Sequence, residues 1–460
     1  MSYDVVIKGG TVVSGHGATR ADVGIKGEKV AALGADLDGE KVIDAGGRLV
    51  LPGVLDVHNH FQLPFCGTTS ADDFANGSKA AALGGVTTFL DFAIQAKPAS
   101  VMDAIAARRE EADPKVHIDY GLHAGITDWG DDRKEEIPRI IRAGCPTFKM
   151  FMVYKSQGWQ STDPDIYGAL IETARHGGMV GVHAENDDLI AALQEQAERE
   201  GVKGAYGHAL TRPPITEAEA ISRAIMLCEA TGGRLYIFHM STGWGTDIVR
   251  DARRRGVDVH AETGPHYLLL DDELFKRDDG HLYGTCPPIR KAEDQEKLWE
   301  GLSDGSVEVL ATDTCTFDSK QKAMWEGDYR KIPFGMPGIE TLLPLTYTKG
   351  VREGRFSLER MIELLCESPA KLFGMWPRKG NLNVGADADV VIFDPEAKVT
   401  ITPSVLATNC DYSPFDGTEV RGWPVTTMVR GKIVVKDREF VGEPGYGKFL
   451  VREPSEGRAR

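Results

Sequence analysis

The spacing of several histidines in this sequence is typical of a metal site. His58 and His60 lie two residues apart at the end of an apolar run, so on a strand both imidazoles would face the same side. His183, His239 and Asp313 each close a short apolar run of their own. Any one of these positions also fits an ordinary polar residue at a strand end. Their repetition favours a site for Zn²⁺ or a similar divalent ion, which imidazole and carboxylate groups bind together.

Lys149 is the unusual member of this set because it lies within the apolar segment Phe148-Lys-Met-Phe-Met152. Burial of a bare ammonium is costly, so the lysine must be neutral, paired or modified. A neutral amine can add CO₂ to form a carbamate, whose two oxygens could bridge two cations and supply the anionic charge that four histidines and one aspartate lack. The alternative is an unmodified lysine whose long side chain carries its charged tip out of the apolar surroundings to the rim of the fold.

These residues need a scaffold that brings distant strand ends together, and the hydrophobic pattern predicts one. From residue 52 onward, short apolar runs alternate with amphipathic stretches. The apolar runs are 86–92, 117–123, 147–152, 179–183, 235–239, 257–262 and 307–313, and the helical stretches include 187–199, 217–230, 246–255 and 357–373. This alternation indicates a (β/α)₈ TIM barrel, whose active site lies at the C-terminal ends of its strands.

Strand-like segments with tight glycine turns fill both ends of the chain, at 5–13, 21–33 and 41–50 and again at 388–393, 425–430 and 432–435. We therefore predict an α/β protein with two domains. Residues 1–51 and 379–460 would form a small β-sandwich, and residues 52–378 the barrel. The polar tail at 453–460 is expected to be poorly ordered.

Composition excludes several classes of partner. The net charge of −16 disfavours binding to nucleic acid, because a surface this acidic repels phosphate. No run of 18 apolar residues is present, so no membrane span is expected. The first eight residues lack a secretion signal, and the seven cysteines are odd in number with no CxxC pair. These features predict a cytoplasmic protein with reduced thiols.

Eight motifs, taken together, resemble those of a known family. They are Gly53-Val-Leu-Asp-Val-His-Asn-His60, Phe148-Lys-Met-Phe-Met-Val-Tyr-Lys155, Val182-His-Ala-Glu-Asn186, Phe238-His-Met-Ser-Thr242, Glu262-Thr-Gly-Pro-His-Tyr267, Pro287-Pro-Ile-Arg290, Gly422-Trp-Pro-Val and Val429-Arg-Gly431. The chain resembles the hydantoinase/dihydropyrimidinase branch of the amidohydrolase superfamily, which also contains allantoinase and dihydroorotase. The resemblance runs nearly from end to end.

The resemblance implies a binuclear cyclic amidohydrolase that opens 5-substituted hydantoins or dihydropyrimidines to N-carbamoyl amino acids. His58, His60 and Asp313 would hold one ion, and His183 and His239 the other. Lys149, carbamylated by CO₂ to N6-carboxylysine, would bridge them. Zn²⁺ is the expected metal, with Mn²⁺ and Co²⁺ as alternatives. The family also implies a homotetramer or a dimer.

Further residues match substrate-binding positions of the family. Tyr154 corresponds to the tyrosine that stabilises the oxyanion, and Asp313 would carry a proton from the nucleophile to the leaving nitrogen. The main chain at Cys286 and at Phe334 would contact the imide edge of the substrate ring. An apolar wall for the exocyclic substituent is predicted from Leu63, Phe65, Phe151 and Trp159, unless these side chains simply fill the core.

The sequence departs from the family's pattern at three positions, and it bears on three alternative functions. Cys286 replaces a serine of many hydantoinases, Phe334 replaces a more usual asparagine, and Thr314 follows the metal aspartate where relatives commonly have histidine. The stretch 335–340 looks more like allantoinases. A non-enzymatic scaffold of this fold would have lost metal ligands, whereas all six ligand positions are filled in this sequence. A mononuclear deaminase of the superfamily would lack the lysine that stands here at Lys149.

Overall fold

The computed structural model describes residues 2–455, which contain three β-sheets larger than a hairpin. The strands are β1 (Tyr3–Lys8), β2 (Thr11–Ser14), β3 (Gly17–Arg20), β4 (Asp22–Lys26), β5 (Lys29–Gly34), β6 (Gly39–Asp44), β7 (Leu49–Pro52), β8 (Val54–Asn59), β9 (Pro64–Phe65), β10 (Thr68–Thr69), β11 (Val86–Ile94), β12 (Asp119–Gly125), β13 (Thr147–Phe151), β14 (Met179–His183), β15 (Leu235–Ile237), β16 (Val259–Thr263), β17 (Val309–Leu310), β18 (Val390–Thr400), β19 (Glu419–Val429), β20 (Lys432–Lys436) and β21 (Glu439–Phe440).

The helices are α1 (Phe74–Leu83), α2 (Val101–Ala112), α3 (Asp131–Arg142), α4 (Asp163–Arg175), α5 (Asp187–Arg199), α6 (Tyr206–Thr211), α7 (Pro214–Thr231), α8 (Gly243–Arg254), α9 (Pro265–Leu269), α10 (Ala292–Asp304), α11 (Ser319–Lys322), α12 (Leu342–Leu345), α13 (Leu358–Ile362) and α14 (Ser368–Leu372). Short 3₁₀ turns occupy Lys155–Gln157, Asp272–Lys276, Gly280–Tyr283, Ala323–Trp325, Tyr329–Lys331 and Ile339–Thr341, and π-helical turns occupy Thr346–Arg352 and Glu363–Glu367.

Eight parallel strands form the barrel, in the order β8, β11, β12, β13, β14, β15, β16 and β17. The seam between the first and the last strand is closed by a parallel bridge from Asn59 to Thr314. Asp56 reinforces this seam, because its carboxylate accepts hydrogen bonds from the Thr312 amide at 3.0 Å and the Thr312 hydroxyl at 2.5 Å. The predicted TIM barrel is therefore confirmed.

Burial on both faces explains why the barrel strands read as continuous apolar runs. Every residue of β13 and β14 is buried, and Thr147 pairs with Met179 so that the two strands end level with each other. Asn186 then caps α5 by accepting a hydrogen bond from the amide of Leu189. Because the helix begins so soon, the loop after β14 is short, and the last residue of β14, His183, lies at the barrel mouth.

The remaining two sheets pack on each other outside the barrel. One has the order β5-β4-β1-β6 and the other β21-β20-β19-β18-β7-β2-β3, so strands from both ends of the chain share a sheet. Their common core contains Ile7, Val23, Val50, Val390 and Met428. This is the predicted β-sandwich. The division of the chain at 51/52 and 378/379 stays a prediction.

Two predicted strands are shorter in the structure than in the sequence pattern, and one predicted helix is interrupted. The strands expected at 235–239 and 307–313 end at Ile237 and Leu310. His239 and Asp313 adopt left-handed φ angles of 40° and 50°, which a β-strand cannot contain. The helix expected at 357–373 widens into a π turn before Pro369, which has no amide hydrogen to donate to the preceding turn.

The start of the tail contacts the barrel, contrary to the expectation of poor order. Arg234 Nη1 donates to the carbonyl of Ser455 at 2.7 Å, and the Glu453 amide donates to the carbonyl of Gly374 at 3.1 Å. The rest of the predicted tail, 456–460, lies outside the described residues. Across residues 2–455, each helix is too short or too polar to cross a membrane.

Candidate active site

The six predicted ligand residues converge on one cleft at the C-terminal mouth of the barrel. The space between the walls of the cleft, including its opening to solvent, is about 510 Å³. β8 and the residue after it supply two histidines, β13 supplies the lysine, β14 ends in a third histidine, and the loops after β15 and β17 supply the last two residues. The side chains that line the cleft include His58, His60, Lys149, His183, His239 and Asp313.

His58, His60 and Asp313 form the first group of potential ligands. The Nε2 atoms of His58 and His60 lie 3.1 and 3.2 Å from the same oxygen, Asp313 Oδ1. Both His58 Nε2 and His60 Nδ1 are buried without a hydrogen-bond partner among residues 2–455. Burial alone would raise the pKa of Asp313, but the two imidazoles hold that pKa below its usual range. The group thus presents an ionised carboxylate and imidazole nitrogens to a common point.

His183 and His239 form a second group next to the first. Their ring centroids are 4.3 Å apart, and the rings of His58 and His239 are 5.3 Å apart. His183 Nε2 lies 2.7 Å from Glu185 Oε2, so Nδ1 is the ring nitrogen of His183 that remains to bind a metal ion. Burial lowers the pKa of His239 well below that of an ordinary histidine, so the ring is neutral. A neutral imidazole keeps the lone pair that a metal ion needs.

Lys149 lies between the two groups and has no counter-ion within the described chain. Its Nζ is 3.3 Å from His239 Nε2 and 3.9 Å from the centroid of the Phe238 ring. Burial lowers the pKa of Lys149 to about 7. A buried amine without an ion-pair partner, next to imidazoles that each keep one ring nitrogen without a hydrogen-bond partner, fits a site for divalent ions. The donors of this chain therefore match the metal centre that the sequence implied.

The backbone is strained at three residues of this cleft. Tyr154, His239 and Asp313 have φ angles of 70°, 40° and 50°, in the left-handed region that non-glycine residues rarely adopt. Such conformations persist where the surrounding structure holds a side chain in a required place, and they cluster at functional sites. All three residues line the cleft.

Two buried glutamates that the sequence analysis did not assign hold the imidazoles in place. Glu262 accepts a hydrogen bond from the Tyr236 hydroxyl at 2.8 Å and from the His239 amide at 3.0 Å, and it also contacts His58 Nδ1. Burial raises the pKa of Glu262 to about 8. Its position at the end of β16 was a signal that could have found it, because it closes an apolar run as the ligands do.

Glu185 performs the corresponding task for His183. Its Oε2 atom lies 2.7 Å from His183 Nε2 and 2.7 Å from Arg212 Nη1, and it accepts a hydrogen bond from Cys286 Sγ at 3.2 Å. Burial favours the neutral acid, but Arg212 and His183 hold the pKa of Glu185 below its usual range. Such outer contacts orient a ligand and fix which ring nitrogen remains for the metal.

Tyr154 and Cys286 lie side by side in the cleft. Burial raises the pKa of the Tyr154 phenol and of the Cys286 thiol well above their ordinary values, so both keep their hydrogens. The Tyr154 ring is 5.1 Å from the ring of His183, and its hydroxyl contacts the Cys286 side chain. Tyr154 can therefore donate a hydrogen bond next to the second ligand group.

The predicted apolar wall lines the same cleft. The Phe65 and Trp159 rings stack at 5.6 Å, and Phe151 lies 5.2 Å from Trp159. Lining residues that the sequence analysis did not name are Ile94, Thr285, Cys315 and Gly335, beside the predicted Leu63, Phe65, Phe151, Trp159, Cys286 and Phe334. Thr314 lies instead at the barrel seam, where its hydroxyl is 2.6 Å from that of Thr312.

A TIM barrel whose mouth carries four histidines, an aspartate and a buried lysine has the donor set of the metal-dependent barrel hydrolases. A family model described as the amidohydrolase family matches residues 49–434. The D-hydantoinase of Geobacillus stearothermophilus is 41% identical over 453 residues, which span 97% of this chain and 96% of that protein. The D-phenylhydantoinase of Escherichia coli O1:K1 is 39% identical over 456 residues, 98% of each chain.

Structural comparison gives the same result. The crystal structure of dihydropyrimidinase from Brevibacillus agri matches with a TM-score of 0.96 and 39% sequence identity, over 98% of this chain and 99% of that chain. The chain therefore belongs to the amidohydrolase family and, within it, to the group of hydantoinases and dihydropyrimidinases.

Proposed function

We propose that this protein hydrolyses a C–N bond of cyclic amides, opening 5-substituted hydantoins or dihydropyrimidines to N-carbamoyl amino acids. The observation that carries the proposal is the position of Lys149 within the cluster of imidazoles, 3.3 Å from His239 Nε2. A lysine at this point has a ready chemical role as a carbamate bridge and none as a charged group. The names of the hydantoinase and dihydropyrimidinase relatives support the same reaction.

The proposed metal ligands fall into the two groups described above. His58, His60 and Asp313 would hold one ion, His183 and His239 the second, and carbamylated Lys149 both. When bound, two divalent cations in this position would lower the pKa of a water molecule towards neutrality and polarise the substrate carbonyl. Zn²⁺ suits imidazole and carboxylate donors, and Mn²⁺ and Co²⁺ are the alternatives.

The side chains of the cleft would then move the proton and stabilise the developing charge. Asp313 is ionised because its pKa lies below the usual range, so it can accept a proton from the attacking water. The same carboxyl group can return that proton to the ring nitrogen as the C–N bond breaks. Tyr154, whose phenol stays protonated, would donate a hydrogen bond to the oxyanion of the tetrahedral intermediate.

The wall of Phe65, Phe151 and Trp159 would bind the substituent of the substrate ring. Aromatic side chains that stack at 5.6 and 5.2 Å offer flat apolar faces, which suit a phenyl or a branched aliphatic group. The relative named D-phenylhydantoinase supports an aromatic substituent. We therefore propose 5-arylhydantoins as the preferred class, ahead of unsubstituted rings.

Assembly and location are also proposals. A homotetramer or dimer follows from the family resemblance. The cytoplasm is supported by seven cysteines that are all unpaired in the structure, as expected in a reducing compartment.

The test is a substrate panel measured on protein of known metal content. The panel contains 5-phenylhydantoin, hydantoin, dihydrouracil, allantoin and succinimide, and metal per subunit is measured by elemental analysis. We expect two divalent ions per subunit and the highest kcat/KM for 5-phenylhydantoin. Full metal content without turnover of any cyclic amide would refute the proposal, and preference for allantoin would move the protein to the allantoinase reaction.

A further inference from the structure

One wall of the cleft is an irregular segment, residues 284–287, whose main chain is anchored from several directions. The Gly284 carbonyl accepts hydrogen bonds from the Gly335 amide and from Lys322 Nζ, both at 2.9 Å. The Tyr267 hydroxyl donates to the carbonyl of Pro287 at 2.9 Å. Among residues 2–455 no strand pairs with this segment, so these individual contacts decide which peptide groups face the cleft.

His208 supplies the anchor in the middle of the segment. It lies on α6, is 1% exposed, and places Nε2 at 2.8 Å from the carbonyl of Thr285. Burial lowers the pKa of His208 to about 3, so the ring is neutral. A neutral imidazole that faces a carbonyl must carry its hydrogen on the facing nitrogen, so Nε2 donates and Thr285 accepts.

Phe334 holds that imidazole in its plane. The two rings are stacked with their centroids 4.5 Å apart and an angle of 24° between planes. The centroid of the Phe334 ring also lies 5.9 Å from the guanidinium of Arg212, which is paired to Glu185. Phe334 itself lines the cleft, so its ring connects the cleft surface with His208.

The residue that follows the anchored carbonyl is Cys286, which lines the cleft. Its thiol donates to Glu185 at 3.2 Å. Within residues 2–455, neither the amide nor the carbonyl of Cys286 has a hydrogen-bond partner. An imide edge offers one N–H and flanking carbonyl groups, which are complementary to these two free main-chain groups.

We propose that His208 is a positioning residue for substrate recognition. Through the Thr285 carbonyl, and with its ring held by Phe334, it turns the Cys286 peptide towards the imide edge of the substrate. The inference rests on the proposed cyclic-amide activity. His208 is not among the residues that line the cleft, so its loss should weaken substrate binding without disturbing metal loading.

Two substitutions at one position separate this role from simple packing. His208→Leu removes the donor, whereas His208→Gln keeps an N–H at a similar reach. We measure kcat, KM and metal per subunit with the best substrate of the panel. We expect His208→Leu to raise KM about tenfold, the equivalent of one lost buried hydrogen bond, with kcat within about threefold. His208→Gln should return KM close to the native value, and metal content should stay native in both.

A matched control and a second variant complete the experiment. His117→Leu replaces another buried histidine packed on a phenylalanine, Phe440 at 4.7 Å, away from the cleft, and should lower Tm without a change in KM. Phe334→Leu removes the stacking ring and should raise KM by a smaller factor than His208→Leu. If His208→Leu does not fold, the positioning role is judged from the KM values of Phe334→Leu and His208→Gln relative to that of the native protein.

The possible failures are distinguishable. A native KM in His208→Leu or in Phe334→Leu, with only a lower Tm, would overturn the positioning role and leave the proposed function intact. A rise in KM in His208→Gln equal to that in His208→Leu would also overturn it, because the donor would then be irrelevant. No turnover by the metal-loaded native protein would overturn the proposed function and this inference with it.

Discussion

Two buried lysines lie at the two ends of the barrel, and their surroundings are opposite. Lys149 at the mouth is 2% exposed and has no ion-pair partner among residues 2–455. Lys379 is 1% exposed, and its Nζ lies 2.6 Å from Asp119, 2.7 Å from Asp389 and 3.0 Å from Asp387. Burial lowers the pKa of Lys149 to about 7. Burial acts the same way on Lys379, but its three carboxylates hold its pKa above the ordinary value.

Burial therefore does not decide the charge of a lysine in this protein; its partners do. The cluster around Lys379 joins Asp119 at the start of β12 to the sandwich, and Arg430 completes it with hydrogen bonds of 3.0 and 3.1 Å to Asp119. At the mouth, imidazole nitrogens of His58 and His239 remain without partners. Buried polar groups are normally satisfied, so a set left unsatisfied marks a place that a ligand completes.

The same substitution at the two ends should have opposite consequences, and the largest effect is expected at the mouth. Lys149→Met removes the amine and keeps the volume of the side chain. We expect activity to fall by about 10³-fold or more, because the proposed carbamate that would hold both ions cannot form. Metal per subunit should fall below two. Thermal unfolding of the metal-free proteins should show that the variant is no less stable than the native chain, because it buries no amine.

The pKa of Lys149 also predicts when the amine becomes reactive. Only the neutral amine adds CO₂, and with a pKa of about 7 the neutral fraction grows as the pH rises through 7. In metal-free protein with ¹³C-bicarbonate, the carbamate signal in NMR should be weak at pH 6 and strong at pH 8. Lys149→Met is the control and should give no such signal. A carbamate signal that does not change over this range would contradict the assigned pKa.

Lys379→Met should damage the fold and spare the chemistry. The substitution leaves three carboxylates buried without their shared cation, and loss of one partner of a buried ion pair costs about 3–5 kcal/mol. Denaturant unfolding should report a decrease of that size, whereas kcat per folded molecule and metal content should remain native. A large loss of activity without a loss of stability would remove the distinction between the two ends.

The sequence predicted the mouth better than the opposite end, and the reason is periodicity. His58, His183 and Asp313 each close an apolar run, and parallel strands of a barrel bring such ends to one edge, so the convergence followed from local patterns. The burial of Lys149 was visible in the same way. The partners of Lys379 were not, because Asp119 lies 260 residues away and no period connects the two.

Other features of the site could not be predicted from the sequence and became visible only in the folded structure, for similar reasons. Glu262 and Glu185 belong to recognisable motifs, but their hydrogen bonds to imidazoles depend on the packing of neighbouring strands. The left-handed turns at His239 and Asp313 shorten two strands, although neither residue type demands such a conformation. Stacking of Phe334 on His208 likewise joins two segments whose sequences carry no mutual signal.

Tyr154→Phe tests whether the mouth carries a hydrogen-bond donor for the transition state. Removal of one preorganised donor typically lowers kcat about 10²-fold. We expect that loss with unchanged metal content and Tm, because the six-membered ring remains in its place beside His183. Tyr167→Phe is the control, since Tyr167 is 40% exposed on α4, and it should behave as the native protein. An unchanged kcat in Tyr154→Phe would exclude the donor role.

The smallest effect is expected at the rim of the mouth, whose proposed role is to bind the substituent of the substrate ring. Trp159 stacks on Phe65 and contacts Phe151, so Trp159→Ala removes the centre of the aromatic wall. The ratio of kcat/KM for 5-phenylhydantoin to that for hydantoin should fall about tenfold, because only the substituted ring uses this surface. Trp325→Ala is the control, since Trp325 stacks on His281 and does not line the cleft. Equal losses for both substrates in Trp159→Ala would mean that Trp159 supports the metal ligands rather than the substituent, and the separation between rim and centre would then fail.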